Sequence, residues 1–261
     1  MDRIDSSDNV SNELHYHGGK WATAHGAYFS DPVNAKPLVD ETFQAVESYR
    51  PNVIADIGGG TGFLLDQIRA RFNGNSPRLL NVDVSRDQLD QCMGMDVMLC
   101  SALDLRRESL VKEKERLMLV SRSVMHYFGK DQQDRFLSSL RSVMEEGEML
   151  VQQPASFATE EECECMNILY PMMGVDKFYL TPEGLREAHE RNGFEVTSMR
   201  TAPPLDLRSE DLAERYDLCD DDLRKMSGIM RRYRLHERGY EVNDRSFRGP
   251  FTYVIVSARA V

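Results

Sequence analysis

The segment Asp56-Ile57-Gly58-Gly59-Gly60-Thr61-Gly62 puts one carboxylate just ahead of a run of glycines. A backbone bare of side chains lets a nucleoside-bearing ligand come close, and the carboxylate offers an attraction to a cation. A tight turn without a ligand is the bland alternative, and turn geometry alone does not call for so many glycines. Asp83 is a second carboxylate, at the end of an apolar run, where it can accept both hydroxyls of a ribose. Its alternative role is a helix-start acid beside Ser85. His126 is the candidate general base, because an imidazole titrates near working pH, while its neighbour Tyr127 is as much wall as reagent. His15 and His17 stand two apart with no carboxylate or third ligand at a familiar spacing, and Cys163-x-Cys165 has no second pair. No metal site is therefore expected.

Alternating strand and helix patterns must hold these residues, which argues for a mostly parallel α/β sheet. The run Val53–Asp56 reads as a first strand, followed by a helix through Phe63, Leu64, Leu65, Ile68 and Phe72 that stops at Asn73-Gly74. Leu79–Val84 is a second strand, and Ser85-x-x-Gln88 a capping box for the next helix. Val97–Cys100 and Leu117–Val120 are strands three and four, the latter apolar throughout as a strand covered on both faces should be. A helical stripe follows from Asp131 through Phe136, Leu137, Leu140, Val143 and Met144. Met149–Val151 is strand five, Thr181-Pro182 to Asn192-Gly193 a helix, Phe194–Met199 strand six and Phe251–Val256 the last strand. Three segments stand outside the alternation: 1–50, with a helix opening at Asp31-Pro32, then 154–180 and 200–249. Such lengths usually mark lids or binding elements.

The order Asp-x-Gly-x-Gly-x-Gly resembles motif I of class I S-adenosylmethionine-dependent methyltransferases, small-molecule type. A dinucleotide site would put a third glycine where Phe63 stands. The resemblance covers 52–199 and 250–261, with a domain over 51–261 carrying insertions at 154–180 and 200–249 and a helical lid in 1–50. It implies a seven-stranded Rossmann-like methyltransferase sheet, mostly parallel, and S-adenosyl-L-methionine as cofactor. Asp56, Gly58, Gly59, Gly60 and Gly62 would surround the methionine moiety, with Asp83, followed by Val84, at the ribose. Cys100–Leu105 resembles the family's adenine-lining segment, so Ser101, Ala102 and Leu103 would border the ring, Ser101 replacing the usual acid. The loop Ser121–Phe128 would face the transferred methyl. Tyr16, Trp21 and Tyr28 would close the acceptor pocket as lid residues, a packed aromatic helix being the alternative, and Tyr170, Met173 and Tyr179 would line it. The expected reaction is in-line methyl transfer to a small molecule. Two alternatives stay open: use of the same cofactor without methyl donation, by cyclisation or aminocarboxypropyl transfer releasing methylthioadenosine, or a non-catalytic binding module.

With 32 basic against 43 acidic residues the formal charge is −11, which disfavours nucleic acid as a main partner. The five cysteines are read as reduced thiols, no apolar stretch is long enough for a membrane span, and the N-terminus lacks a signal region. A soluble, cytoplasmic protein is expected, with no membrane partner; the oligomeric state stays open, a homodimer included. In the late insertion Leu223, Met226, Ile229, Met230 and Tyr233 form a helical apolar stripe opposite a basic face, read as solvated in preference to an anion site. The acidic runs Glu160–Glu162 and Asp220–Asp222 are read as helix starts.

Overall fold

The computed structural model describes residues 27–74 and 76–261. Tyr16 and Trp21, expected as lid residues, lie outside that range. One mixed sheet organises the chain, in the order β3-β2-β1-β4-β5-β8-β6, with the two-residue β7 (Glu241–Val242) paired to β8. β1 (Val53–Ile57), β2 (Arg78–Asp83), β3 (Asp96–Leu99), β4 (Leu117–Arg122) and β5 (Met149–Gln153) run parallel. β8 (Phe247–Ala260) is antiparallel to β5 and to β6 (Phe194–Arg208). This is the Rossmann-like methyltransferase sheet expected from the sequence.

Alternate residues of each central strand feed two cores. Val53, Ala55, Leu117, Leu119 and Val256 face α5 (Gly129–Ser142) and α7 (Pro182–Arg191). Ile54, Met118, Val120 and Ile255 face α1 (Pro32–Tyr49) and α2 (Phe63–Arg69). The period of two is what a strand buried on both sides requires. α1 is not a lid. Asp31 caps it, Pro32 starts it, and Ala35, Leu38, Val39, Ala45 and Val46 are buried against the sheet. α2 is shorter than its apolar pattern, because the chain turns after Arg69 and Phe72 packs from the turn. Short helices α3 (Arg86–Leu89) and α4 (Arg107–Leu110) complete the first half, Ser85 accepting from Gln88 N as its cap.

The largest departure is at β6. Its expected end at Met199 is overrun to Arg208, paired with β8 as far as Arg248. Pro203 and Pro204 lie within the overrun, and proline cannot donate to a ladder. They fall in a register shift between Ala202 and Leu205, where the ladder does not need their missing N–H groups. Strands six and eight thus reach past the sheet as an antiparallel arm, and the true excursion is 209–246. It holds α8 (Ser209–Tyr216) and α9 (Asp220–Arg232). α9 buries Met226 and Met230, opens on Asp220–Asp222 and carries its basic residues in ion pairs such as Arg224–Asp221 and Arg231–Asp244. The 154–180 segment forms α6 (Glu160–Met172), opened by a Thr159–Glu162 capping box and the acidic first turn. All three helices pack on the same face as α1 and α2.

Candidate functional site

The strand order reverses between β1 and β4, and the carboxyl ends of these strands are where open α/β sheets collect ligands. Asp56 and the glycine loop lie there. Gly60 has φ +57°, which a side chain rarely tolerates, and its N–H donates to Asp83 Oδ2 at 2.9 Å. At Gly59 the constraint is space: an added Cβ would sit 2.0 Å from Asn81 Oδ1 and 2.6 Å from Asp56 Oδ2. Asn81 ties the loop from below, its Nδ2 donating to Gly60 O at 2.8 Å. Asn81 is buried mid-sheet beside Asp83, and polarity in an otherwise apolar strand was the signal for it.

Asp56 is 1% exposed and neither carboxyl oxygen has a hydrogen-bond partner. Burial, then the nearby Asp83 charge, push its pKa up to about 8, against a weaker pull from Arg122. At the opposite end of the sheet the buried Glu148 is handled differently. It accepts from both Arg107 Nη atoms at 2.7 and 2.9 Å and from the N–H groups of Leu117 and Glu145. A buried carboxyl costs several kcal/mol unless it is paired, so Asp56 is left wanting a cation or donor where Glu148 is satisfied. Asp83 accepts from Gly60 and Ser85 N–H, while burial raises its pKa. Each oxygen keeps a second lone-pair direction. Val84 is half exposed beside it.

After β3, Ser101 Oγ accepts from Leu103 N at 3.2 Å and Ala102 is nearly buried. Cys100 N donates to Asp83 O, which brings this turn alongside the second carboxylate. Ser121 belongs to β4 instead of the loop that follows, because the strand runs on to Arg122. Pairing with Gln152 keeps it in the ladder, and the period of two aims it away from the Asp56 face. Arg122, which the sequence reading placed in the following loop without a role, lies on that face. Its Nη1 donates to Phe29 O at 3.0 Å and its guanidinium stands within 6 Å of the Tyr28, Phe29 and Phe63 rings.

The loop after β4 touches two spaces. Val124 lies against Gly58, whose Cβ would meet its Cγ2 at 2.7 Å. Ser123 and His126 line a narrow cleft with room for about 20 Å³. Ser123 holds a left-handed conformation, φ +62°, with its Oγ 3.3 Å from Tyr253 Oη. His126 is buried, its ring 4.3 Å from Tyr127 and stacked on Tyr179 at 5.4 Å. Tyr127, Tyr170 and Tyr179 line the same cleft, as the sequence reading expects. Tyr28 and Met173, expected there too, do not. Tyr28 is stacked behind Tyr253 at 5.6 Å and donates to Pro203 O, and Met173 packs in the core. Phe29, read from the sequence as an aromatic lid residue beside Tyr28, lines the cleft, and Phe251, Tyr253, Lys177 and Arg215 are lining residues the sequence reading missed. They come from the β6–β8 arm and its neighbours, which no local spacing connects to the glycine loop.

No family model matches this chain, and no curated protein matches it in sequence. Solved structures do match. A Bacillus halodurans protein provisionally named a methyltransferase shares 16% identity and a TM-score of 0.61, over 79% of this chain and 91% of its own. The Burkholderia thailandensis 1,6-didemethyltoxoflavin-N1-methyltransferase, solved with 1,6-didemethyltoxoflavin and S-adenosylhomocysteine, shares 10% identity and a TM-score of 0.57, over 100% of this chain and 92% of its own. Magnesium protoporphyrin IX methyltransferase from Synechocystis, solved with S-adenosylmethionine, shares 11% identity and a TM-score of 0.53 over the full length of both chains. The fold of this chain is therefore that of the Rossmann-like methyltransferases.

Proposed function

We propose that this chain binds S-adenosylmethionine at the glycine loop and transfers its methyl group to a small-molecule acceptor in the adjoining cleft. The observation that carries the reading is Asp56: a buried, unpartnered carboxyl at the switch point, beside a loop that admits no Cβ at Gly59. Such a site suits a ligand with a cationic amino-acid tail. The solved neighbours that hold this cofactor or its demethylated product add support through a shared fold.

When bound, the cofactor's sulfonium supplies a methyl carbon already activated for in-line displacement. The chain's own task is then to bind, align and exclude water. Asp56 would take the ammonium of the tail, and Gly58, Gly59, Gly60 and Gly62 would let the backbone approach. Asp83 would accept the ribose hydroxyls, and Val84, Ser101, Ala102 and Leu103 would border the base. His126, in the cleft wall, would accept the proton of an acceptor hydroxyl or amine. Tyr127 would form wall.

Calorimetry with S-adenosylhomocysteine tests donor binding, and a labelled methyl donor with the small-molecule fraction of a cell extract tests transfer. Micromolar binding and labelled small-molecule product with release of S-adenosylhomocysteine are expected. No binding overturns the reading, and release of methylthioadenosine overturns methyl transfer.

A further inference from the structure

Asp56 and Arg122 are ionisable groups of opposite sign on one face of the sheet, and they do not meet. Asp56 pairs with Val120 in the β1–β4 register, and the period of two puts Arg122 on the same face, ~7 Å nearer the carboxyl ends of the strands. Neither Asp56 oxygen has a hydrogen-bond partner, and the buried Arg122 Nε has none either. Burial pushes the Asp56 pKa up and that of Arg122 down, and each group opposes the other's shift across the gap between them.

What holds Arg122 is neutral. Nη1 donates to Phe29 O at 3.0 Å and Nη2 to Tyr28 O at 3.4 Å, and the guanidinium stands 5.5, 5.6 and 5.9 Å from the Tyr28, Phe29 and Phe63 ring centres. Phe63 opens α2 directly after Gly62, so this cation borders the glycine loop. Carbonyls and ring faces soften the burial of a guanidinium without neutralising it. One zwitterion lying between the two groups would satisfy both.

We infer that Arg122 anchors the carboxylate of the donor's amino-acid tail through its Nε edge, while Asp56 takes the ammonium. The inference rests on the donor reading and adds a binding residue from a strand outside the glycine loop. A guanidinium edge offers a carboxylate two parallel donors, and each Nη has a second N–H, so the hold on Tyr28 O and Phe29 O need not be released.

The test is calorimetry on the full-length protein with three nucleosides. S-adenosylhomocysteine carries the zwitterionic tail, its decarboxylated analogue keeps the ammonium alone, and methylthioadenosine lacks both groups. The wild type should bind S-adenosylhomocysteine roughly tenfold or more tightly than the decarboxylated analogue, as a charge-assisted pair requires. Arg122→Met should lose that preference, with affinity for the other two nucleosides kept within about twofold. An arginine that only ties residues 28 and 29 to β4 would, when replaced, weaken all three alike. Arg122→Lys keeps a charge without the planar edge; it should cut the preference roughly threefold or more, and it decides the matter if the Met variant does not fold. Equal binding of S-adenosylhomocysteine and its decarboxylated analogue by the wild type, equal weakening of all three nucleosides in the variants, or a preference undiminished in them would overturn the assignment. If the wild type does not bind S-adenosylhomocysteine at all, the donor reading itself falls; binding without a carboxylate preference removes the role of Arg122 alone.

Discussion

The donor loop and the acceptor cleft lie side by side and are built by opposite means. The donor side is backbone plus carboxylates, drawn from two adjacent parallel strands and read off within residues 56–62 and 81–83. The cleft is side chains from the β4 loop, α6, the 173–180 stretch, α8 and the β6–β8 arm, aromatic and cationic. The loop 121–128 belongs to both, with Val124 against Gly58 and His126 in the cleft wall. The difference teaches that a strand–turn–helix makes one surface locally, while the other is chemistry that insertions must deliver.

That contrast can be broken variant by variant. Gly59→Val drives a branched side chain into Asn81 and Asp56, and S-adenosylhomocysteine affinity should fall by ~1,000-fold or more in calorimetry. The far-UV circular dichroism spectrum should be unchanged; a lost spectrum would mean that the variant does not fold. His126→Gln should lower turnover by about 100-fold with donor affinity kept, the size expected of a lost general base. A loss below tenfold would leave His126 as wall alone. Asp83→Ala should weaken S-adenosylhomocysteine by about 30-fold, the worth of charge-assisted hydrogen bonds.

Asp56 offers a pH test. Its carboxyl ionises near 3.8 unfolded and about 8 in the fold, so the folded chain holds the extra proton between those values and loses stability as pH rises through them. Asp56→Asn should therefore raise the ligand-free melting temperature, little at pH 5 and by roughly 5 °C at pH 8. The same variant should weaken donor binding, and a cationic ligand should expel a proton from the wild type at pH 7, visible as buffer-dependent binding enthalpy. The smallest effect is expected on α9. Arg231, exposed and paired with Asp244, belongs to neither site, and Arg231→Ala should change stability by under ~0.5 kcal/mol and neither affinity.

Much of the fold was legible because the signals are local. Asp31-Pro32, Ser85-x-x-Gln88, Thr181-Pro182 and the acidic first turns cap helices through bonds two or three residues away, and the structure keeps them. The apolar runs of β1 and β4 announced strands covered on both faces. Where the reading failed, distant partners decided. β6 passes Pro203-Pro204 because β8 supplies a ladder with a register shift at that point, a fact held in residues about fifty positions away. Strand four likewise runs on to Arg122, two residues past its expected end at Val120, pinned by β5.

The residues around the glycine loop thus announced the sheet and the bare turn after its first strand, since a strand–turn–helix fixes its own backbone and needs no remote side chain to do so. Which aromatic residues face the cleft, that Tyr28 stands behind Tyr253, and that Lys177 and Arg215 are the cations beside His126 came from tertiary structure alone. Those positions are set by how the β6–β8 arm and α8 fold back onto the loop after β4, and long-range packing of that kind leaves no periodic mark in a single sequence.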